Sequence, residues 1–173
     1  MPRLTQAERS ILAKQLLILE VLFPEHADEY SVQREAIVEG YEIHLDECLV
    51  RADFAMSVEQ SKEVFETLDM FASLRESAQD LDLSEWLAEQ NGGCFLGYDG
   101  NDPIEVRYMF YVDYLVNRLG RYRYLDLAGQ GYVNSHALMR QTYGEMLSVW
   151  REVPRESRTT MTREQIEEIV NAG

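Results

Sequence analysis

Arginine and tyrosine crowd one stretch of this chain: between residues 107 and 124 lie four arginines and five tyrosines. Arginine offers a planar, permanently charged fork that matches carboxylate or phosphate. Tyrosine adds a stacking face and a hydroxyl. Arg107, Arg121 and Tyr122, with Asp126 as a base beside them, are the candidate ligand-binding residues for a small anion. Three other roles fit the same residues. They are stacking of single-stranded nucleic acid, a subunit interface, and internal pairing of the arginines with the chain's own carboxylates.

A second cluster, His44-Leu45-Asp46-Glu47-Cys48, holds metal-capable side chains. On a helix His44 and Cys48 share a face at i, i+4, but zinc needs two further ligands. The expected reading is a histidine beside a buried cysteine, and no metal site is assigned. Asp99, Asp102 and Asp126 flank the Arg/Tyr stretch, where turn-forming and helix-capping roles account for Asp99 and Asp102. The chain lacks a glycine-rich phosphate loop, H-E-x-x-H and G-x-S-x-G, so the motifs assign no catalytic residue and no cofactor. The expectation leans away from an enzyme.

These residues need helices to hold them. In 173 residues, 46% hydrophobic and with four prolines, long helices are favoured over many short strands. Thr5 with Glu8, Ser57 with Gln60 and Thr162 with Gln165 have capping-box spacing and mark three helix starts. The first helix runs to Pro24 with Ile11, Leu12, Leu16, Leu19 and Phe23 at helical spacing. The second ends at Gly40 and buries Tyr30, Ile37 and Val38. The third carries Val64, Phe65, Leu68, Phe71, Ala72 and Leu74. A fourth begins at Asp102-Pro103, with Val106, Phe110, Leu115 and Val116 inside. A fifth runs from Asn134 or Ser135 to Val153 and the last from Thr162. Residues 41–49 form either a short helix or an extended link, and 82–90 hold a short helical turn carrying Trp86. The prediction is an all-α, multihelical single domain over 1–173 of about six helices. An irregular connection falls near residues 121–133, and 91–102 is the one candidate internal boundary.

Net charge is −15, and residues 20–90 carry 19 acidic against 4 basic side chains. Such a surface repels phosphate backbones and anionic headgroups, which disfavours nucleic acid and membrane partners. Two distant cysteines make no disulfide framework. With no bilayer-spanning apolar run and no leader pattern, the expected location is the cytoplasm.

Taken in order, several short patterns resemble the YfbU family of bacterial proteins from end to end. They include Leu4-Thr5 with Glu8-Arg9, Glu39-Gly40-Tyr41, Phe95-Leu96-Gly97-Tyr98-Asp99, Glu105 with Arg107-Tyr108, and Gly120-Arg121-Tyr122. Further on come Asp126, Asn134-Ser135, Tyr143 with Met146-Leu147 and Trp150, and Pro154-Arg155. The resemblance implies a mostly helical, cytosolic, oligomeric protein. It brings no reaction and no catalytic residue. Some relatives carry an N-terminal arm like a ribbon-helix-helix DNA binder; this sequence starts at the shared domain, so DNA binding is not carried over. The expected role is that of a non-catalytic, self-associating module acting through protein contacts, with an anion-binding enzyme or sensor as the alternative.

Overall fold

The computed structural model describes residues 4–41, 43–45, 55–122, 125 and 133–173. Cys48 and Asp126, and most of the 41–49 and 121–133 segments, lie outside the described residues. The chain falls into two compact units, Met1–Ala55 and Met56–Gly173. Residues 91–102, the candidate boundary, lie inside the second.

The first unit is a helical hairpin of α1 (Gln6–Leu22) and α2 (Ala27–Glu39). The Thr5–Glu8 capping box forms, with the Thr5 N–H donating to Glu8 Oε2 at 2.7 Å. Pro24 opens a single 3-10 turn that reverses the chain. Gly40 closes α2 at φ +77°, a left-handed conformation that glycine adopts without strain. Arg9 donates to the Ile37 carbonyl at 3.0 Å, and Arg34 clasps Glu20 across the hairpin. Three expected core positions are overturned, Phe23, at the end of the first stripe, being exposed too. Val38 is 59% exposed while Ala36 and Ile37 are buried, and Ile11 is 57% exposed. The reason is that α1 carries apolar residues on more than one side, and α2 can cover only one of them.

The second unit is built on α3 (Val58–Asp80), its longest helix. The Ser57–Gln60 box starts it, and Val64, Leu68, Met70, Phe71 and Leu74 are buried along its inner face. Around it stand α4 (Ser84–Glu89), α5 (Glu105–Asp113), α6 (Arg140–Glu152) and α7 (Arg163–Asn171). Helix α4 is the short helical segment expected around Trp86; counted as a helix it takes the number past the expected six, while the all-α class stands. Among the described residues the one β element is an isolated parallel bridge, Tyr98 to Asn134.

Asp102 caps α5 as expected, its Oδ1 accepting from the N–H groups of Ile104 and Glu105 at 2.9 and 2.8 Å. The buried face of α5 differs from the expected one. Tyr108, Met109 and Val112 point inward while Phe110 is turned out. The helix then widens into a π-helical turn, Tyr114–Arg118, whose extra residue keeps both Leu115 and Val116 buried. Helix α6 starts at Arg140, not at Asn134 or Ser135. Asn134 is taken by the bridge and by accepting from the N–H groups of Gly100 and His136, and Leu138 is exposed.

Candidate functional site

The centre of the second unit is a ladder of rings. Phe71, Phe95, Tyr98, Tyr108 and Tyr143 meet pairwise with centroids 5.2–5.7 Å apart, mostly edge to face, the arrangement that aromatic quadrupoles favour. Each buried hydroxyl needs a partner. Tyr143 Oη accepts from the Leu96 N–H at 3.0 Å. Tyr108 Oη donates to Glu63 Oε2 at 2.8 Å. The same Glu63 receives a two-pronged clasp from Arg140, at 2.7 and 3.0 Å, whose guanidinium lies 5.3 Å from the Tyr108 ring centre.

Burial first, and then the hydrogen bond to Glu63, push the Tyr108 hydroxyl up to about 12. Burial likewise raises Tyr98 and Tyr143 well above the ordinary phenol range. An unfolded chain releases these protons near pH ~10, so the stability they lend is complete below that pH and is lost as pH rises through the folded values. A spectrophotometric tyrosine titration followed alongside circular dichroism is expected to show these three ionising only as helicity is lost. Ionisation of all ten tyrosines with helicity intact would contradict the ladder.

Glu105 sits nearby and is 3% exposed. Its carboxylate accepts from the backbone N–H of Asp99 at 2.9 Å, of Met139 at 3.0 and 3.1 Å, and of Arg140 at 2.7 Å. Helix α6 has no capping side chain of its own. Glu105 supplies that cap from 35 residues away. All its partners are donors, as an ionised carboxylate requires, and its charge lies at the positive end of α6.

The sequence-expected site is only partly assembled. Tyr122 donates to Asp69 Oδ1 at 2.7 Å, and its ring lies 6.5 Å from that of Phe65. Arg121 is exposed, its guanidinium 5.7 Å from the same Phe65 ring. Phe65 thus brings these two together. Arg107 is half-buried on α5, and Asp126 lies outside the described residues. His44 is exposed, and its partners in the metal-capable cluster, Asp46 to Cys48, lie outside as well. No group of three or more His, Cys, Asp or Glu side chains suited to a metal occurs among the described residues. Glu63, Arg140 and the capping role of Glu105 were not foreseen, because their partners are distant in sequence.

A different place offers room. A cavity of about 610 Å³ opens between α3, α4 and the segment at 93–95, walled by Phe71, Leu87, Phe95 and Leu125 with Arg75 and Cys94 at its sides. Gly93 is buried at its edge, where a Cβ would lie 1.8 Å from the Leu87 carbonyl oxygen. Only glycine lets the loop lie this close to the end of α4.

Fold and site together define an all-α protein whose long polar contacts clasp one helix to another. The chain belongs to the YfbU family: the model of the YfbU domain matches residues 2–172, spanning both compact units. Among the described residues no helix is long and apolar enough to cross a membrane.

Proposed function

We propose that this YfbU-family chain acts as a non-catalytic, self-associating helical module, a single functional domain across its two units, with α1 as the seam between copies. The observation that carries this reading is the second apolar stripe of α1. No residue of α1 is fully buried. Ile11, Leu17, Ile18, Val21 and Leu22 are 57, 51, 57, 75 and 63% exposed. A helix apolar on more than one side is normally covered on each, and an apolar patch of several hundred Å² is unusual on a monomer.

The pattern of the stripe selects a helix as its cover. Leu4, Ile11 and Ile18 recur every seven residues, with Ala7, Lys14 and Val21 at the intervening positions. That is the a/d spacing of a helix–helix seam, with isoleucine at a and one lysine able to set register. A second copy presents the same repeat, and two hairpins joined along α1 make a four-helix bundle. Charge agrees. Glu8, Arg9, Lys14 and Glu20 leave α1 neutral in a chain of net charge −15, so α1 is where copies approach with least repulsion. The same acidic balance disfavours nucleic acid and anionic membrane surfaces, which supports proteins as the partners.

Light scattering at micromolar concentration is expected to give a dimer or larger species, and Ile18→Glu, which buries a charge in the seam, is expected to give a monomer of unchanged helix content. A monomeric wild-type chain would sink self-association. An oligomer that survives Ile18→Glu would sink the α1 seam.

A further inference from the structure

We propose that two copies of α1 pair antiparallel, with Lys14 of each against Ile11 of the other, and that Lys14 is the residue that fixes this direction. This rests on the self-association reading and adds to it how the second copy lies in the seam and what selects it.

Three observations converge. The first is that α1 has two separate faces. Leu12, Ala13, Leu16 and Leu19 are half-buried, and on the same side Arg9 and Glu20 are bonded to α2. Ala7, Ile11, Lys14, Ile18 and Val21 lie on the other side and are exposed. The hairpin therefore leaves the seven-residue repeat to a second copy. The second is side-chain volume. In a parallel pair each residue meets its own equivalent across the seam. Ala7 would face Ala7 beside a layer of Ile11 against Ile11, so one helix separation could not suit both, and the small layer would leave a void. In the antiparallel pair that overlaps the whole stripe, Ala7 faces Ile18, Ile11 faces Lys14 and Leu4 faces Val21. No layer then joins two small residues or two isoleucines, which keeps the spacing even. The third is charge. Lys14 is the one charged residue of the repeat. Parallel pairing sets Lys14 on Lys14, two like charges in the part of the seam most removed from water. Antiparallel pairing places the two lysines in different layers. Each lays its stem along Ile11 of the other copy while its ammonium reaches the edge of the seam.

Disulfide trapping reads the direction. Cys48 and Cys94, the two native cysteines, are replaced by serine, and Ala7→Cys and Ile18→Cys are placed in separate full-length chains. The two chains are mixed in equal amounts, left to exchange copies, and equilibrated in glutathione buffer. The disulfide between unlike chains is expected to exceed those between like chains at least ten-fold. Lys14→Leu removes the charge from the seam. It is expected to tighten association about ten-fold in sedimentation equilibrium and to lower the preference for unlike chains at least three-fold. All these positions are exposed, and circular dichroism checks that each variant keeps its helix content. Like-chain disulfides that match or exceed the unlike one overturn the antiparallel pair, as does an oligomer that forms neither. A Lys14→Leu chain with unchanged association and preference overturns the directing role of Lys14. Each of these outcomes leaves an oligomer in light scattering, so self-association survives them; a monomeric parent chain overturns both readings.

Discussion

Replacing Glu105 by alanine is expected to destabilise the second unit by about 3–5 kcal/mol, the order expected when several backbone N–H groups lose their one shared acceptor. The carboxylate accepts from Asp99, Met139 and Arg140 at once. Alanine would strand these N–H groups where water reaches them poorly, at a cost of about 1–3 kcal/mol for each buried group left unmade. It would also leave the first turn of α6 uncapped. The loss in melting temperature is expected to be on the order of 10 °C, measured by circular dichroism. Glu105→Gln makes the sharper comparison. It keeps the shape but turns one acceptor oxygen into an NH₂ donor facing donors, so it is expected to lose about 2 kcal/mol. Were Glu105→Gln as stable as the parent, the charge and its double acceptance would be irrelevant, and only packing would remain.

That prediction bears on what could be read from the residues alone. The three capping boxes were legible because both partners lie within one turn, Thr5 with Glu8, Ser57 with Gln60 and Thr162 with Gln165, and all three form. Gly40 and the core stripe of α3 were legible for the same local reason. The start of α6 was not. Asn134 and Ser135 have the side chains of a helix cap, yet Asn134 caps a turn and a bridge, and the real cap is Glu105. Nothing near Glu105 in sequence marks it as serving another helix. The face of α1 was ambiguous in another way, since apolar residues on several sides permit more than one pairing. The Arg/Tyr stretch was legible as a concentration of chemistry but not as a geometry. Tyr108 turned inward to Glu63 and Tyr122 to Asp69, carboxylates of α3 that periodicity could not align with them. The cavity beside Arg75 left no signal at all, because its walls come from segments that are separate in sequence.

Gly97→Ala is expected to cost at least ~4 kcal/mol, at the upper end of single substitutions, while Gly144→Ala is expected to stabilise by roughly 0.5–1 kcal/mol. Two separate penalties meet at Gly97. Its φ is +95°, a region that alanine enters only under strain of ~1–3 kcal/mol. A Cβ there would also lie 1.9 Å from the Val133 carbonyl oxygen, and that atom is fixed because it accepts the Tyr98 N–H at 3.3 Å. Relief would require the backbones of 97–98 and 133–134 to part, which would break the Tyr98–Asn134 bridge. Tyr98 would then leave its place between Phe95, Tyr108 and Tyr143. Gly144 is the control because a Cβ on this helical residue meets nothing within 4 Å, so alanine there only removes backbone freedom from the unfolded chain. Urea unfolding of both variants separates the two effects. Equal stabilities would mean that the close approach at Gly97 yields cheaply, and then the bridge would not be what seats the ring ladder. A large loss at Gly97 alone would tie the ladder, and the cavity floor that Phe95 forms beside it, to one contact that only glycine permits.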